Sequence, residues 1–530
     1  MKDKIDILIK KHFPKGKEPR KEQYETIHKI VNAYINNKTH FIGQLPTGVG
    51  KSYIAIVIPK ILKEINNELK QSVILTKTKA LQDQYTNEFP DLVDIKGKTN
   101  YTCHLGTTYT TDVCFTNMNS NKCDKNEDCP YIKQRIHWET SKDERITNMS
   151  FFITYPKAKS DIVVIDECHT LSGELVNYGT LTINENVINE FKEKSLDNGY
   201  MNFETIVIAL ETFINKLNSI IIESKTLYEN SQDLLKILKL RIDELEELKD
   251  ENGFYNRLYN WVNDMISKIS LFGKVEGDYI LHLEEVKRDF SEYKIISIKP
   301  IFAYQVADFI FDKGTFFIHL SATIGDIDVY AKENGIKTYD SYECDSPFPI
   351  ENRKIVYKPL IEFNYKNQEN AINQTTKIVD KIIEKHKNEN GLIHTSSYFI
   401  AHEIKNKSKY NSKIVVAKDS ETINKYKGKK ILIGPTLYEG HDFKDDFARW
   451  QILTKIPYAS LGDVYVKTKT QMYPKWYSQD AANKIIQSYG RAVRHKNDKA
   501  IFYIFDTNFS KFKDSNYLPK YVREAIFLMK

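Results

Sequence analysis

At 530 residues the chain is too long for one compact core, so two to four domains are expected; an apolar fraction of 41% and a charged fraction of 28% exclude a disordered or fibrous class. The net charge of +6 is mild, below that of a nucleic-acid packaging protein, and assigns no partner by itself. The only apolar run near the start covers 7–9, and no later stretch reaches the roughly 18 apolar residues a membrane span needs, so a cytosolic, reducing location with no membrane partner is expected.

Tyr24, Ile27, Val31 and Tyr34 recur at helical spacing, and 41–43, 72–76 and 162–165 read as short strands. Strands alternating with helical stretches predict a parallel α/β sheet. Between the second and third strands lie four of the six cysteines, Cys103, Cys114, Cys123 and Cys129. In a reducing compartment that cluster points to metal or iron–sulfur ligation more than to disulfides.

From about 184 to 278 helical periodicity dominates, and no proline occurs between Lys157 and Lys299. Ile206, Leu210, Phe213, Leu217 and Ile220 share one face; Leu234, Leu238, Ile242, Leu245 and Leu248 share another, which predicts a helical insertion forming its own lobe. Strand-like runs return at 316–320, 391–395, 431–434 and 501–505, so a second α/β domain fills the C-terminal part.

Gln44-Leu45-Pro46-Thr47-Gly48-Val49-Gly50-Lys51-Ser52 follows a strand and opens an apolar helix, the context that a phosphate-binding loop requires. Its glycines let backbone N–H groups converge on phosphate oxygens. Lys51 would reach the β- and γ-phosphates, and the Ser52 hydroxyl would ligate Mg²⁺. The strict pattern has glycine where this chain has Leu45. Asp166-Glu167-Cys168-His169 ends the third strand and sets two carboxylates at the carboxyl edge of the sheet, Asp166 suited to Mg²⁺ and Glu167 to polarising the attacking water. Gln487, Arg491 and Arg494 sit on helical spacing in the C-terminal domain, where arginines reaching across a cleft would stabilise a transferring γ-phosphoryl group.

Together these motifs resemble the superfamily 2 helicases and, within them, the iron–sulfur branch typified by the XPD and DinG helicases. Arg20 and Gln23 resemble the adenine-sensing Q motif; Thr76-Lys77-Thr78 with Leu81-Gln82-Asp83-Gln84 resembles motif Ia; Asp166 to His169 is similar to motif II in its DECH form. Ser321-Ala322-Thr323 resembles motif III, followed by Ser346-Pro347-Phe348, by Glu439-Gly440-His441-Asp442-Phe443 resembling motif V, and by Gln487 to Arg494. The resemblance implies ATP bound between two RecA-like domains. Arg20, Gln23, Pro46, Thr47, Gly48, Val49, Gly50, Lys51, Ser52, Gly440 and Asp442 would lie at the nucleotide, with His169, Ser321, Ala322 and Thr323 coupling its state to movement.

The family's phrases at the first and last cluster cysteines also occur, as Lys96-Gly97-Lys98-Thr99-Asn100-Tyr101-Thr102-Cys103 and Asp128-Cys129-Pro130-Tyr131. By resemblance Cys103, Cys114, Cys123 and Cys129 would hold a [4Fe–4S] cluster. From chemistry alone, four thiolates suit that cluster or tetrahedral zinc, with His104 an alternative ligand. The resemblance implies an α/β chain of two RecA-like P-loop domains with both insertions in the first: the first domain over 1–100, 134–183 and 286–343, an iron–sulfur domain over 101–133, an arch-like domain over 184–285, and the second domain over 344–530. A coiled-coil partner-binding module would read like the arch.

The implied activity is that of a monomeric ATP-dependent, 5′ to 3′ helicase or translocase on single-stranded DNA and forked or tailed duplexes. Two other readings stay open: a nucleic-acid-stimulated ATPase that does not unwind, and a zinc-bearing binding module with a degenerate ATPase.

Overall fold

The computed structural model describes residues 2–103, 129–198, 203–248, 253–288, 291–364, 366–437 and 441–529. In chain order the strands are β1 (His40–Gln44), β2 (Ser72–Thr76), β3 (Val93–Asp94), β4 (Glu144–Asn148) and β5 (Ser160–Asp166); β6 (Leu181–Asn184), β7 (Ile221–Glu223), β8 (Asp278–Arg288) and β9 (Ser291–Pro300); then β10 (Gly314–Ser321) and β11 (Tyr339–Glu343). The rest are β12 (Ile355–Ile361), β13 (Gly391–His394), β14 (Ile414–Val416), β15 (Ile431–Gly434), β16 (Trp450–Leu453), β17 (Ile501–Asp506) and β18 (Ile526–Leu528).

In the first domain a parallel sheet runs β11-β1-β10-β5-β2-β4-β3. Its inner strands β1, β10, β5 and β2 are buried on both faces, as a parallel sheet covered by helices on each side demands. Successive residues therefore serve different cores: Phe41 and Ile74 pack with the helices Lys21–Ile35 and Lys51–Ile65, while Ile42, Val73 and Leu75 pack with Phe152, Leu171 and Leu175 on the other side. The second domain repeats the design as β14-β15-β13-β16-β17-β12-β18, also parallel. The expected pair of parallel α/β domains is thus present.

The lobe inserted between β5 and β10 adds a sheet to the helical insertion expected from the sequence. Its helices Glu204–Asn215, Gln232–Leu248 and Gly253–Phe272 pack on an antiparallel sheet ordered β6-β9-β8-β7. Ile206, Leu210, Phe213, Leu234, Leu238 and Leu245 are buried as the periodicity requires, and Leu217 and Ile242 pack partly against them. Ile220 does not share that face: the helix has ended at Asn215, and its side chain is exposed beside β7.

The two α/β domains are joined by buried polar contacts. Lys469, on the helix Val464–Met472, meets Glu333, on the helix Ile327–Glu333, at 2.5 Å with both side chains buried. On the helix Pro474–Tyr489, the Gln479 amide nitrogen donates to the Ile324 carbonyl at 2.7 Å, and its oxygen accepts from the Asp326 N–H at 2.8 Å. Tyr465 donates to the Ile301 carbonyl at the base of the inserted lobe.

Candidate nucleotide site between the two domains

Strand register assembles the centre. Gln44 lies opposite Ser321, and Leu320 opposite Asp166, so the loop after β1, the acids after β5 and the Ser-Ala-Thr turn after β10 emerge together at the carboxyl edge of the first sheet. That edge is where ligands of open α/β sheets bind. A cleft of about 1300 Å³ opens there between the domains, lined by the phosphate-binding loop, Asp166, Glu167 and His169 on one side and by Gln487, Arg491 and Arg494 on the other.

Gly48 and Gly50 adopt left-handed backbone with φ of +88° and +83°, a conformation that favours glycine, and Gly50 caps the helix Lys51–Ile65. A side chain at Gly48 would strike the Phe348 ring, its Cβ coming within 2.1 Å of that ring. Leu45, Pro46 and Val49 are buried beneath the loop, so Leu45 replaces the glycine of the strict pattern without entering the cleft, while Thr47, Lys51 and Ser52 face it. Gln44, the last residue of β1, holds the neighbouring turn: its amide nitrogen donates to the Ala322 carbonyl at 2.5 Å, and its oxygen accepts from the Ile324 and Gly325 N–H groups. Sequence reasoning did not assign Gln44 a role, although a polar residue ending a wholly buried strand was the available signal.

Lys51 Nζ lies 3.5 Å from Glu167 Oε1. Glu167 itself has φ of 50°, a left-handed conformation that costs a non-glycine residue energy and recurs at functional sites. Burial works to raise its carboxyl pKa, but the Lys51 charge and hydrogen bonds from His169 and Ser321 hold it below the usual range. Burial pushes Asp166 the other way, up to about 6, with the Glu167 charge adding to the rise. An acid pair with Asp166 buried and Glu167 half-buried, faced by one lysine, is short of positive charge, and a carboxylate with the Ser52 hydroxyl is an oxygen donor set of the kind Mg²⁺ prefers. The residues present therefore fit the implied cation.

A hydrogen-bonded chain crosses from one domain to the other. The Gln487 amide nitrogen donates to His169 Nε2 at 2.9 Å; His169 Nδ1 stands 2.9 Å from Ser321 Oγ and 3.3 Å from Glu167; Ser321 donates to Glu167 at 3.2 Å. Because Nε2 accepts, the imidazole carries its proton on Nδ1, in the geometry that donates toward Ser321 and Glu167. Ala322 and Thr323 line the cleft, and the Thr323 N–H donates to Ser321 Oγ.

Other expected residues sit differently from the sequence reading. Gln487, Arg491 and Arg494 do not share one helix: it ends at Tyr489, Arg491 lies in the turn that follows, and Arg494 lies in the irregular segment beyond it. Gly490 ends the helix, and the buried Asp498 carboxylate captures the Arg494 N–H. Arg491 donates to the His441 carbonyl at 3.0 Å, and Arg494 forms an ion pair with Asp442, so the motif V segment holds both arginines at the cleft. Arg20 lines the cleft and donates to the Gly48 carbonyl. The Gln23 amide is engaged by protein, its oxygen accepting from the Arg20 N–H at 2.8 Å and its nitrogen donating to the Gly50 carbonyl at 3.3 Å.

Gly440, Cys114, Cys123 and His104 lie outside the described residues. Cys103 and Cys129 are buried and free, and Tyr101 and Tyr131, each two residues away in sequence, meet edge to face at 5.6 Å.

Comparisons with known proteins agree with this geometry. The model of the helicase C-terminal domain matches residues 374–525, and that of the type III restriction enzyme res subunit matches 16–197. A probable ATP-dependent helicase of Methanocaldococcus jannaschii, MJ0942, is 23% identical over 466 residues, covering 70% of this chain and 68% of that protein. The ATP-dependent DNA helicase CHL1 of Candida albicans is 30% identical over 113 residues, which span 18% of this chain and 13% of that one. Among solved structures, one titled XPD helicase superposes with a TM-score of 0.62 at 17% identity, covering 97% of this chain and all of that one. Xpd4 of S. tokodaii gives 0.59 at 14% identity over 96% of this chain. The chain is thus similar to helicases across both α/β domains, and it shares the fold of the XPD helicase structures along nearly its whole length.

Proposed function

We infer that the chain is an ATP-dependent DNA helicase that hydrolyses ATP between its two RecA-like domains to move 5′ to 3′ along single-stranded DNA and open forked or tailed duplexes. The observation that carries this reading is the chain of contacts Gln487–His169–Ser321–Glu167–Lys51, which ties the phosphate-binding side of the cleft to the domain that must move. Lys51 would hold the β- and γ-phosphates, Glu167 would orient the attacking water, and Arg491 and Arg494 would meet the charge that develops on the transferring phosphoryl group. Mg²⁺ bound by Ser52 and Asp166 would neutralise phosphate oxygens in the transition state. Loss of the γ-phosphate would relax Ser321 and His169, and through Gln487 the second domain.

Strand displacement with ATP on a duplex carrying a 5′ single-stranded tail is the test. DNA-stimulated hydrolysis with no displacement would leave the chain a translocase that remodels without unwinding. Lys51→Ala should lower hydrolysis by roughly a hundredfold or more if catalysis rests on this electrostatic cradle.

Cys103, Cys114, Cys123 and Cys129 would carry a [4Fe–4S] cluster in a protein that works as a monomer in the cytoplasm. The free, buried Cys103 and Cys129, each two residues in sequence from one ring of an aromatic pair, support this. Anaerobically purified protein should be brown and contain iron. Stoichiometric zinc without iron would replace the cluster by a structural zinc site.

A further inference from the structure

Tyr85 takes no part in the reading above, yet it touches the centre of the site. It lies on the helix Lys79–Glu88 with its side chain 1% exposed, and its hydroxyl donates to Asp166 Oδ2 at 2.8 Å. The other carboxylate oxygen, Oδ1, accepts from the Glu167 N–H at 2.9 Å. Each oxygen thus receives one donor from a fixed direction and keeps a lone pair for a cation.

The ring is itself held. Tyr85 packs against Phe89 at 6.2 Å between centroids; Phe89 meets Tyr53 edge to face at 5.4 Å; Tyr53 stacks on Phe13 at 5.5 Å. Tyr53 directly follows Ser52. One aromatic run therefore braces both oxygen ligands the cation would use, Ser52 through its chain neighbour and Asp166 through a hydrogen bond. The same helix lines the cleft through Ala80, Leu81 and Gln84.

We propose that Tyr85 is a positioning residue for the divalent cation: its hydroxyl fixes the orientation in which Asp166 receives the metal, and the affinity of the site for that metal depends on this hydrogen bond. The proposal rests on the reading of Asp166 as a cation ligand. Partners of this kind around metal-bound side chains typically change metal affinity by about 10- to 100-fold when removed.

The experiment uses the full-length protein with a non-hydrolysable ATP analogue and follows Mn²⁺ binding by electron paramagnetic resonance. Tyr85→Phe should bind Mn²⁺ about tenfold more weakly, while metal-free binding of a fluorescent nucleotide and the thermal midpoint stay near wild type. The Mg²⁺ concentration giving half-maximal hydrolysis should rise by the same factor, and saturating Mg²⁺ should restore most of kcat. Phe89→Leu, which keeps the hydroxyl but loosens the ring behind it, should shift Mn²⁺ affinity less and in the same direction; it serves if Tyr85→Phe does not fold. Unchanged Mn²⁺ affinity in both variants, or a loss of metal-free nucleotide binding equal to the loss of metal binding, overturns the proposal. Asp166→Asn separates the two levels: if it too leaves Mn²⁺ binding intact, the assignment of Asp166 as ligand fails, and if it abolishes binding while Tyr85→Phe does not, only the role of Tyr85 fails.

Discussion

Gly48 shows how narrowly the nucleotide loop is specified. Its φ of +88° is costly for any residue with a Cβ, and the Phe348 ring from the second domain fills the space that a Cβ would need. Gly48→Ala should carry about 1–2 kcal/mol of backbone strain and push Phe348 aside, with an expected tenfold or larger loss of affinity for a fluorescent ATP analogue. Partial recovery in Gly48→Ala/Phe348→Leu would identify the ring contact as a cause; affinity as in wild type for the single variant would refute the account. Gln487→Ala removes a contact that couples the domains and binds no substrate, so kcat should fall about tenfold with KM for ATP little changed. Equal effects on kcat and KM would mean that Gln487 acts in binding instead. The residues that carry these effects were legible in unequal measure. Lys51, Ser52, Asp166 and Glu167 announce themselves because their chemistry is encoded within a few adjacent positions. Gln44 and Tyr85 do not, because each works through a partner far along the chain that only the folded sheet brings near.

Among elements, β1, β2, β5, β10, β13, β15 and β17 were readable because burial on two faces makes them continuous apolar runs, whereas β3, β4, β11, β12, β14, β16 and β18 did not stand out in the sequence. The β8–β9 hairpin was not. β8 includes the sequence Leu283-Glu284-Glu285-Val286-Lys287-Arg288, as charged as an ordinary helix surface, and only the register shows that Glu285 lies opposite Lys294 across the hairpin. The ion pair Lys469–Glu333 was likewise invisible before folding. Burial raises the Glu333 carboxyl pKa despite the pull of Lys469, while the acid and Tyr465 hold the Lys469 ammonium above its usual value. Breaking such a pair from one side leaves a buried charge alone. Lys469→Met should therefore destabilise the docking of the two domains by about 3–5 kcal/mol, and Glu333→Leu/Lys469→Met should recover most of that loss. Urea denaturation of the three proteins measures both; a double variant as weak as the single would show that the pair contributes more than its desolvation costs.

The whole molecule has an acid-sensitive interior in both domains. His40 in β1 and His394 in β13 are held neutral by burial, each with its pKa pushed down to about 4, and His319 in β10 is pushed well below its ordinary value. The unfolded chain takes up protons at these imidazoles near pH 6.5, whereas the folded chain does not until far lower. Stability is therefore undiminished above about pH 6.5 and lost as the pH falls toward about 4, at about 1.4 kcal/mol per unit for each histidine. Asp166, raised to about 6, and the Glu333, Asp506 and Glu174 carboxyls, raised by burial, pull the opposite way over part of that range and make the decline shallower. The urea midpoint should be level from pH 7 to 8 and decline steadily between 6.5 and 4.5; a flat profile there would contradict the neutral assignment. His394→Gln should soften the decline.

The position of β10 has a consequence for how the chain is made. This strand sits between β1 and β5, yet it is synthesised only after the whole inserted lobe. A nascent chain that has reached the end of β5 holds the loop and both acids but lacks the strand that sets them side by side. The lobe can settle first through its own local contacts, and it then shortens the span across which β10 must return. Until that return the first sheet has exposed strand edges open to wrong partners, so the ribosome and the chaperones around it meet a motor whose catalytic centre is among the last parts of its first domain to close.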